Sequence, residues 1–110
     1  ELAQLRYQAS IRPGFQESFG AMFPAPRQRG VDAMVSAEAD IRALPHPTLV
    51  VHGREDAVIP LSNSLTLAQW IRHAQLHVFG ECGHWTQIEH AARFARLVED
   101  FLAEADAMQV

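Results

Sequence analysis

The segments TLVVHGREDAVIP (48–60) and QLHVFGECGHW (75–85) decide the fold of this chain. Each begins with a short apolar run, at 48–52 and 75–79, that is typical of a buried strand, and each continues into a turn that contains glycine. Helical patterns follow both turns, the first at 63–73 with Ser62 as its N-cap and the second at 86–105. The order strand–helix–strand–helix predicts an α/β fold in which the two strands are parallel and adjacent.

A titratable residue stands in each of the two turns, Asp56 in the first and His84 in the second. Because the carboxyl ends of neighbouring parallel strands meet at one sheet edge, where open α/β sheets place their sites, we expect the two side chains to lie close together. An ionised acid can orient an imidazole, and histidine moves protons near neutral pH. Glu55 is the local alternative to Asp56, and a turn-capping aspartate with a hydrogen-bonded turn histidine is the purely structural alternative.

The acid and the histidine supply two thirds of a nucleophile–base–acid triad, and the acid precedes the histidine as in the Ser–Asp–His order of α/β-hydrolases. The nucleophile frame G-x-S-x-G does not occur in these 110 residues. None of the serines has that frame, and they are Ser10, Ser18, Ser36, Ser62 and Ser64. We therefore expect no triad-dependent activity from the chain alone.

Composition excludes several classes of function. A length of 110 residues with 48% hydrophobic residues allows one globular domain at most. The net charge of −4 gives no basic surface for nucleic acid, and no stretch is apolar for long enough to span a membrane. The single cysteine excludes an internal disulfide and favours a reducing, cytoplasmic location.

The composition of the sequence changes near Leu44. Upstream, short helical patterns at 1–10, 14–23 and 31–37 are interrupted by proline and glycine, which predicts a partial helical lid over residues 1–44. Residues 45–110 form a segment of an α/β core. Two strands leave a parallel sheet with bare edges, so we expect a homo-oligomer or pairing with a missing N-terminal part.

Other side chains are weaker candidates for chemistry. The Glu-His dipeptide at 89–90 lacks the H-E-x-x-H spacing, so we expect no metal site. Cys82 is two residues from His84, which is poor geometry for a dyad, and we interpret it as a packed small residue. The remaining histidines lie at element boundaries, within strands or in the last helix, and they are His46, His52, His73, His77 and His90.

The blocks GREDAVIPL (53–61) and LHVFGECGHWTQIEH (76–90) resemble the C-terminal part of meta-cleavage-product hydrolases. These are α/β-hydrolases of aromatic catabolism that act on 2-hydroxymuconic semialdehyde and related 2-hydroxy-6-oxo-dienoates. The resemblance extends upstream through ASIRPGFQESFGAMFPAPRQRGVDAM (9–34) and covers nearly the whole chain. It implies an α/β-hydrolase fold that continues beyond these residues, with the nucleophile in the missing part.

The resemblance also implies roles for four residues. Asp56 would be the triad acid, His84 the triad base, Trp85 a wall of the substrate pocket and Arg6 the lid residue that meets the substrate carboxylate. A solvated helix face is the alternative for Arg6. The implied partner is a small-molecule substrate, with no metal or organic cofactor. Two alternatives stay open, an esterase or other α/β-hydrolase parent and a non-catalytic self-associating module.

Overall fold

The computed structural model describes residues 1–108. Its chain divides into two compact units, the first covering Glu1–Ser36 and the second beginning at Ala37. The lid–core boundary that composition predicts near Leu44 stays a prediction.

Three helices form the first unit, and they are α1 (Leu2–Ile11), α2 (Phe15–Met22) and α3 (Arg27–Ala33). Gly14 makes the break between α1 and α2 possible, because its φ of 86° lies in the left-handed region that side chains rarely adopt. Along α2, the ring centroids of Phe15 and Phe19 are 6.3 Å apart. Those of Phe19 and Phe23 are 5.3 Å apart, so one side of this helix is aromatic.

The helix predicted at 31–37 is wrong in position, because α3 begins at Arg27 and ends at Ala33. Pro26 precedes it in an extended conformation, with φ −76° and ψ 125°, so the helix begins immediately after the proline. The sequence pattern treated Gly30 as a breaker, yet Gly30 lies inside the helix. An interior glycine costs a helix only about 1 kcal/mol relative to alanine, which the remaining contacts can offset.

The second unit contains the α/β elements in the predicted order. They are α4 (Glu38–Arg42), β1 (Thr48–Gly53), α5 (Leu61–Trp70), β2 (Ala74–Phe79), α6 (Thr86–Glu89) and α7 (Ala91–Met108). The strands pair in parallel and in continuous register, from Thr48 opposite Ala74 to Gly53 opposite Phe79. The predicted α/β fold class is therefore confirmed, and both strands end at the same edge of the sheet.

Helix α5 differs from its prediction at both ends. Its N-cap is Pro60 rather than Ser62, since the fixed φ of proline, here −61°, delivers an extended chain directly into the first turn at Leu61. The helix stops at Trp70, three residues before the predicted end, because Ile71 adopts extended angles of φ −85° and ψ 114°. The side chain of Ile71 is buried in the core, and this tertiary burial outweighs the helical pattern that continues to His73.

The last helical pattern is two helices rather than the single helix predicted at 86–105. The break falls at His90, whose φ of −130° and ψ of 50° are not helical. The His90 Nε2–H donates a hydrogen bond to the Glu81 carbonyl at 3.0 Å, and its ring stacks on Phe79 at 5.3 Å. These contacts reach 9 and 11 residues back along the chain, so periodicity within the helix could not reveal them.

The core of the second unit includes buried apolar residues next to both ends of β2. Ile71 precedes this strand, Phe79 is its last residue, and Cys82 lies in the turn that follows. Helix α7 turns one half-buried side toward the unit, and that side consists of Phe94, Leu97, Val98, Phe101 and Ala105. Among residues 1–108 the sheet has only the two strands, so each keeps an unpaired edge. No helix in the described part of the chain is long and apolar enough to cross a membrane.

Candidate active site

The turns that follow β1 and β2 lie against each other. The Arg54 N–H donates a hydrogen bond to the Phe79 carbonyl, and the Glu55 N–H donates one to the Cys82 carbonyl, both at 2.9 Å. Gly53 permits this approach, because a Cβ atom there would overlap the carbonyl oxygen of Gly83 and lie 2.6 Å from that of Cys82. Two turns that are far apart in sequence thus become one backbone platform.

Asp56 is held as an ionised acid on this platform. Its Oδ1 accepts hydrogen bonds from the N–H groups of Val58 at 2.8 Å and Ile59 at 2.9 Å, and its side chain is only 6% exposed. The Ile59 N–H, with help from His84 and Val58, lowers the pKa of Asp56 from 3.8 to about 2, although burial acts in the opposite direction. At neutral pH this carboxylate accepts hydrogen bonds and donates none.

His84 meets the second oxygen of that carboxylate. Its Nδ1 lies 2.9 Å from Asp56 Oδ2. Because an ionised carboxylate only accepts, we assign the proton of this hydrogen bond to Nδ1, which leaves the lone pair of a neutral ring on Nε2. The His84 side chain is 34% exposed, so the pair combines a nearly buried acid with an accessible base.

Both residues line a cleft of about 560 Å³. All six residues of β1, from Thr48 to Gly53, also line it. Since successive strand residues point to opposite faces, a cleft that touches all of them runs along the free edge of β1 rather than across one face. The acid–histidine pair therefore stands at the end of an unpaired strand edge.

His52 is a feature of the site that sequence reasoning missed, having treated it only as the end of a strand. The ring is buried, and its Nε2–H donates to the Ile59 carbonyl at 2.9 Å, so Nδ1 accepts from the Ser64 hydroxyl at 2.7 Å. Its Nε2 is also 3.5 Å from Asp56 Oδ2. In the sequence, the only indication of this contact was the spacing of four residues between His52 and Asp56. That spacing implies a contact only when the conformation of the loop after β1 is known.

The alternative acid, Glu55, faces a different partner. Its Oε2 accepts the Cys82 N–H at 3.0 Å, which is the largest cause of its lowered pKa, and its other oxygen contacts Arg54. The structure therefore brings Asp56, not Glu55, to His84. Cys82 is buried, burial raises the pKa of its thiol, and it packs in the turn as a small side chain.

The two residues predicted to bind substrate lie in different units. Trp85 is 44% exposed, and its ring meets the His84 ring edge to face, with centroids 5.5 Å apart. Arg6 lies on α1 in the first unit. Within residues 1–108, no group of three or more histidine, cysteine, aspartate or glutamate side chains could hold a metal ion.

Comparison with known proteins yields one family. The chain matches the family model of the alpha/beta hydrolase fold over residues 4–91. It is 79% identical over 110 residues to the 2-hydroxymuconate semialdehyde hydrolase of Pseudomonas sp. (strain CF600), covering 100% of this chain and 39% of that protein. It is 64% identical over 106 residues to a 2-hydroxy-6-oxo-2,4-heptadienoate hydrolase of Pseudomonas putida, covering 96% of this chain and 38% of that protein.

A solved structure gives the same result. A mutant of the meta-cleavage product hydrolase from Pseudomonas fluorescens IP01, complexed with acetates, superimposes with a TM-score of 0.85 at 64% identity. The match covers 94% of this chain and 38% of that one. The resemblance inferred from the sequence is confirmed, and the chain spans 38–39% of the length of the two curated relatives named above.

Proposed function

Because the chain belongs to the alpha/beta hydrolase fold family, we propose that it supplies the acid and the base of a triad that hydrolyses a carbon–carbon bond of 2-hydroxymuconic semialdehyde. The observation that carries the proposal is the 2.9 Å hydrogen bond between His84 Nδ1 and Asp56 Oδ2 beside a cleft. The relative that is 79% identical and bears the name of this activity supports the substrate class.

The proposed chemistry assigns a different task to each member of the pair. The dienol substrate first becomes its keto form, and His84 Nε2 carries the proton that this step moves. Asp56 stays ionised and stabilises the imidazolium that forms. Water, or a serine whose acyl ester water later hydrolyses, then adds to the neighbouring carbonyl. The carbon–carbon bond breaks, its electron pair passes into the dienolate of the leaving fragment, and that dienolate takes up a proton from the imidazolium. The products are 2-hydroxypentadienoate and a small carboxylic acid, which for an aldehyde substrate is formate.

The nucleophile and the oxyanion donors of this proposal come from outside the 110 residues. No serine here has the elbow frame, and the hydroxyl of Ser64 is buried against His52. The cleft along the free edge of β1 supports the idea that a further strand pairs there and brings a serine to His84. A strand that brings the serine would belong to an N-terminal part of the protein, whereas a second copy of these 110 residues in a homo-oligomer would pair with the edge without supplying the nucleophile.

Substrate contacts and location complete the proposal. Trp85, with its ring against His84, would form a wall of the pocket. Arg6 on α1 would meet the substrate carboxylate as a planar, bidentate cation. Residues 1–44 would act as the partial lid and residues 45–110 as the core segment. We place the reaction in the cytoplasm, since a single cysteine suits a reducing compartment.

A turnover assay tests the proposal. The 110-residue chain would be mixed with the remaining N-terminal part of a meta-cleavage-product hydrolase, and loss of the visible absorbance of 2-hydroxymuconic semialdehyde would be followed. We expect turnover from the mixture and none from the chain alone. His84→Ala and Asp56→Asn should each lower kcat by about three to six orders of magnitude. Near-normal turnover in either variant would contradict the assigned role.

Two further arms of the assay address the alternatives. A simple p-nitrophenyl ester hydrolysed much faster than the dienoate would favour an esterase parent. Arg6→Ala should raise KM for substrates that carry a carboxylate by about tenfold or more, while esters without one should be little affected. Equal losses on both kinds of substrate would place Arg6 outside substrate binding.

A further inference from the structure

The turn at 81–85, which carries His84, has no regular secondary structure. Its position depends instead on hydrogen bonds from neighbouring elements. The most direct come from Glu89 at the end of α6: Oε1 accepts the Gly83 N–H at 3.0 Å, and Oε2 accepts the Trp85 N–H at 3.1 Å. One carboxylate thus binds the backbone N–H groups of the residue before His84 and of the residue after it. This arrangement resembles a capping box, in which an acid in the first helical turn reaches back to the N-cap.

Gly83 makes room for the carboxylate. A Cβ atom at this position would lie 3.3 Å from Glu89 Oε2 and 3.5 Å from Oε1, and the shorter distance is tighter than most side chains accept. The missing side chain therefore allows both oxygens to face the turn. Besides its backbone flexibility, Gly83 thus provides space for the Glu89 carboxylate that binds the turn.

Other hydrogen bonds restrain the two ends of the turn. At its far end, the Trp85 carbonyl accepts the N–H groups of Ile88 at 3.0 Å and Glu89 at 2.8 Å. At its beginning, Glu55 Oε2 accepts the Cys82 N–H at 3.0 Å, and His90 Nε2–H donates to the Glu81 carbonyl at 3.0 Å. Burial raises the pKa of the Cys82 thiol, and the charges of Glu89 and Glu55 raise it further, in keeping with two carboxylates around this turn. Glu89 differs from Glu55 and His90 because its one carboxylate binds backbone N–H groups on both sides of His84.

We propose that Glu89 is a positioning residue that orients His84 toward Asp56 by binding the backbone N–H groups of the residues before and after the histidine. A hydrogen bond weakens steeply when its angle falls below about 120°, so rotation of the backbone next to His84 would turn the ring and weaken the bond between Nδ1 and the carboxylate. The proposal rests on the proposed function only in treating the pair as catalytic. The geometric effect of Glu89 on His84 can be measured without turnover.

The test uses the tautomer of His84 in the 110-residue chain. Long-range proton–nitrogen NMR correlations from the carbon-bound ring protons report which nitrogen carries the proton. The spectra are recorded at about pH 8, above the ordinary pKa of a histidine side chain. Histidine in a flexible peptide favours the Nε2–H tautomer, whereas the bond to Asp56 selects Nδ1–H. We expect Nδ1–H to predominate in the wild type and to fall, in Glu89→Ala, to the share found in a peptide of residues 81–87.

Two further variants sharpen the comparison. Glu89→Gln keeps the size of the side chain and one acceptor oxygen, so its Nδ1–H share should fall between those of the wild type and Glu89→Ala. Glu99→Ala removes an exposed carboxylate from α7 and should leave the tautomer unchanged. In all samples, the amide signals of β1 and β2 report whether the fold is intact.

Each contrary result overturns the proposal. A wild-type tautomer share in Glu89→Ala, with strand amides intact, would show that Glu89 does not orient His84. Loss of strand signals in both Glu89 variants would show that Glu89 supports the fold as a whole. A wild-type chain without the Nδ1–H preference would remove the premise. If instead the tautomer shifts as expected but the mixture of this chain with the N-terminal part hydrolyses no dienoate, only the proposed function fails.

Discussion

At the scale of single residues, side-chain length explains which acid serves His84. Asp56 is short enough for one oxygen to bind the Val58 and Ile59 N–H groups of its own turn, which leaves the other oxygen for the imidazole. Glu55 is one methylene longer and reaches across to the Cys82 N–H instead. Neighbouring carboxylates thus acquire different tasks, and both are held by backbone donors.

The lowered pKa of Asp56 predicts a specific dependence of stability on pH. A folded pKa of about 2 against an ordinary 3.8 means that Asp56 stabilises the fold above pH 3.8, and that this contribution is lost as pH falls through about 2. Urea unfolding of the wild type and Asp56→Asn should show a difference in the free energy of unfolding at about pH 6 that narrows markedly by about pH 2. A difference of constant size would mean that Asp56 does not titrate in this way.

The sequence predicts some of these residues and not others. Asp56 and His84 could be paired in advance because both follow apolar strands and the ends of parallel strands converge. Nothing in the local pattern indicates that His52 would bridge Ser64 and Ile59, since that contact needs α5 and the loop in their final places. The hydrogen bonds of Glu89 could likewise not be predicted from the sequence, because their donors lie in a turn without regular secondary structure.

At the scale of elements, Gly53 sets how closely the two turns can meet. Gly53→Ala should destabilise the fold by about 1–3 kcal/mol or more, because the added methyl overlaps backbone carbonyls that cannot rotate away. Chemical denaturation measures the change. Gly80→Ala is the matched control, since its Cβ would lie 3.5 Å from the mobile guanidinium of Arg54 and should change stability by less than about 0.5 kcal/mol. Equal effects at the two positions would contradict the close-packed platform.

The bond from Ser64 on α5 to His52 on β1 joins helix and strand in a buried place. Ser64→Ala would leave His52 Nδ1 without its donor, so we expect a loss of about 1–3 kcal/mol and faster hydrogen exchange in the loop between β1 and α5. Ser62 is exposed and is not the helix cap, so Ser62→Ala should fall within about 0.5 kcal/mol of the wild type. The reverse order of effects would favour the N-cap role that the sequence predicted for Ser62.

At this scale, the sequence predicts the strands well but does not predict where the helices end. The apolar runs located both strands within one residue, because period and composition are properties of the strand itself. The early stop of α5 at Trp70 and the break at His90 follow from burial of Ile71 and from stacking on Phe79. Such contacts join distant segments, so no window along the chain contains their cause.

At the scale of the whole molecule, the unpaired edges of the two-stranded sheet predict association. An open strand edge presents free N–H and C=O groups to any other strand, and β1 also borders a cleft. We expect the 110-residue chain to self-associate in a concentration-dependent way, as measured by sedimentation velocity. A matching N-terminal part should compete with this association. A strictly monomeric chain over a wide concentration range would contradict the prediction.

The continuous pairing of β1 with β2 has a consequence for the order of assembly. Bringing two residues together from 28 positions apart costs chain entropy that grows only slowly with loop length, and here strand pairing and α5 offset that cost for a single contiguous segment. The geometry of the acid–histidine pair thus becomes a local property of one folding unit. In the proposed enzyme, the pair would form before the strand that carries the nucleophile docks, and the imidazole would already be oriented when it does.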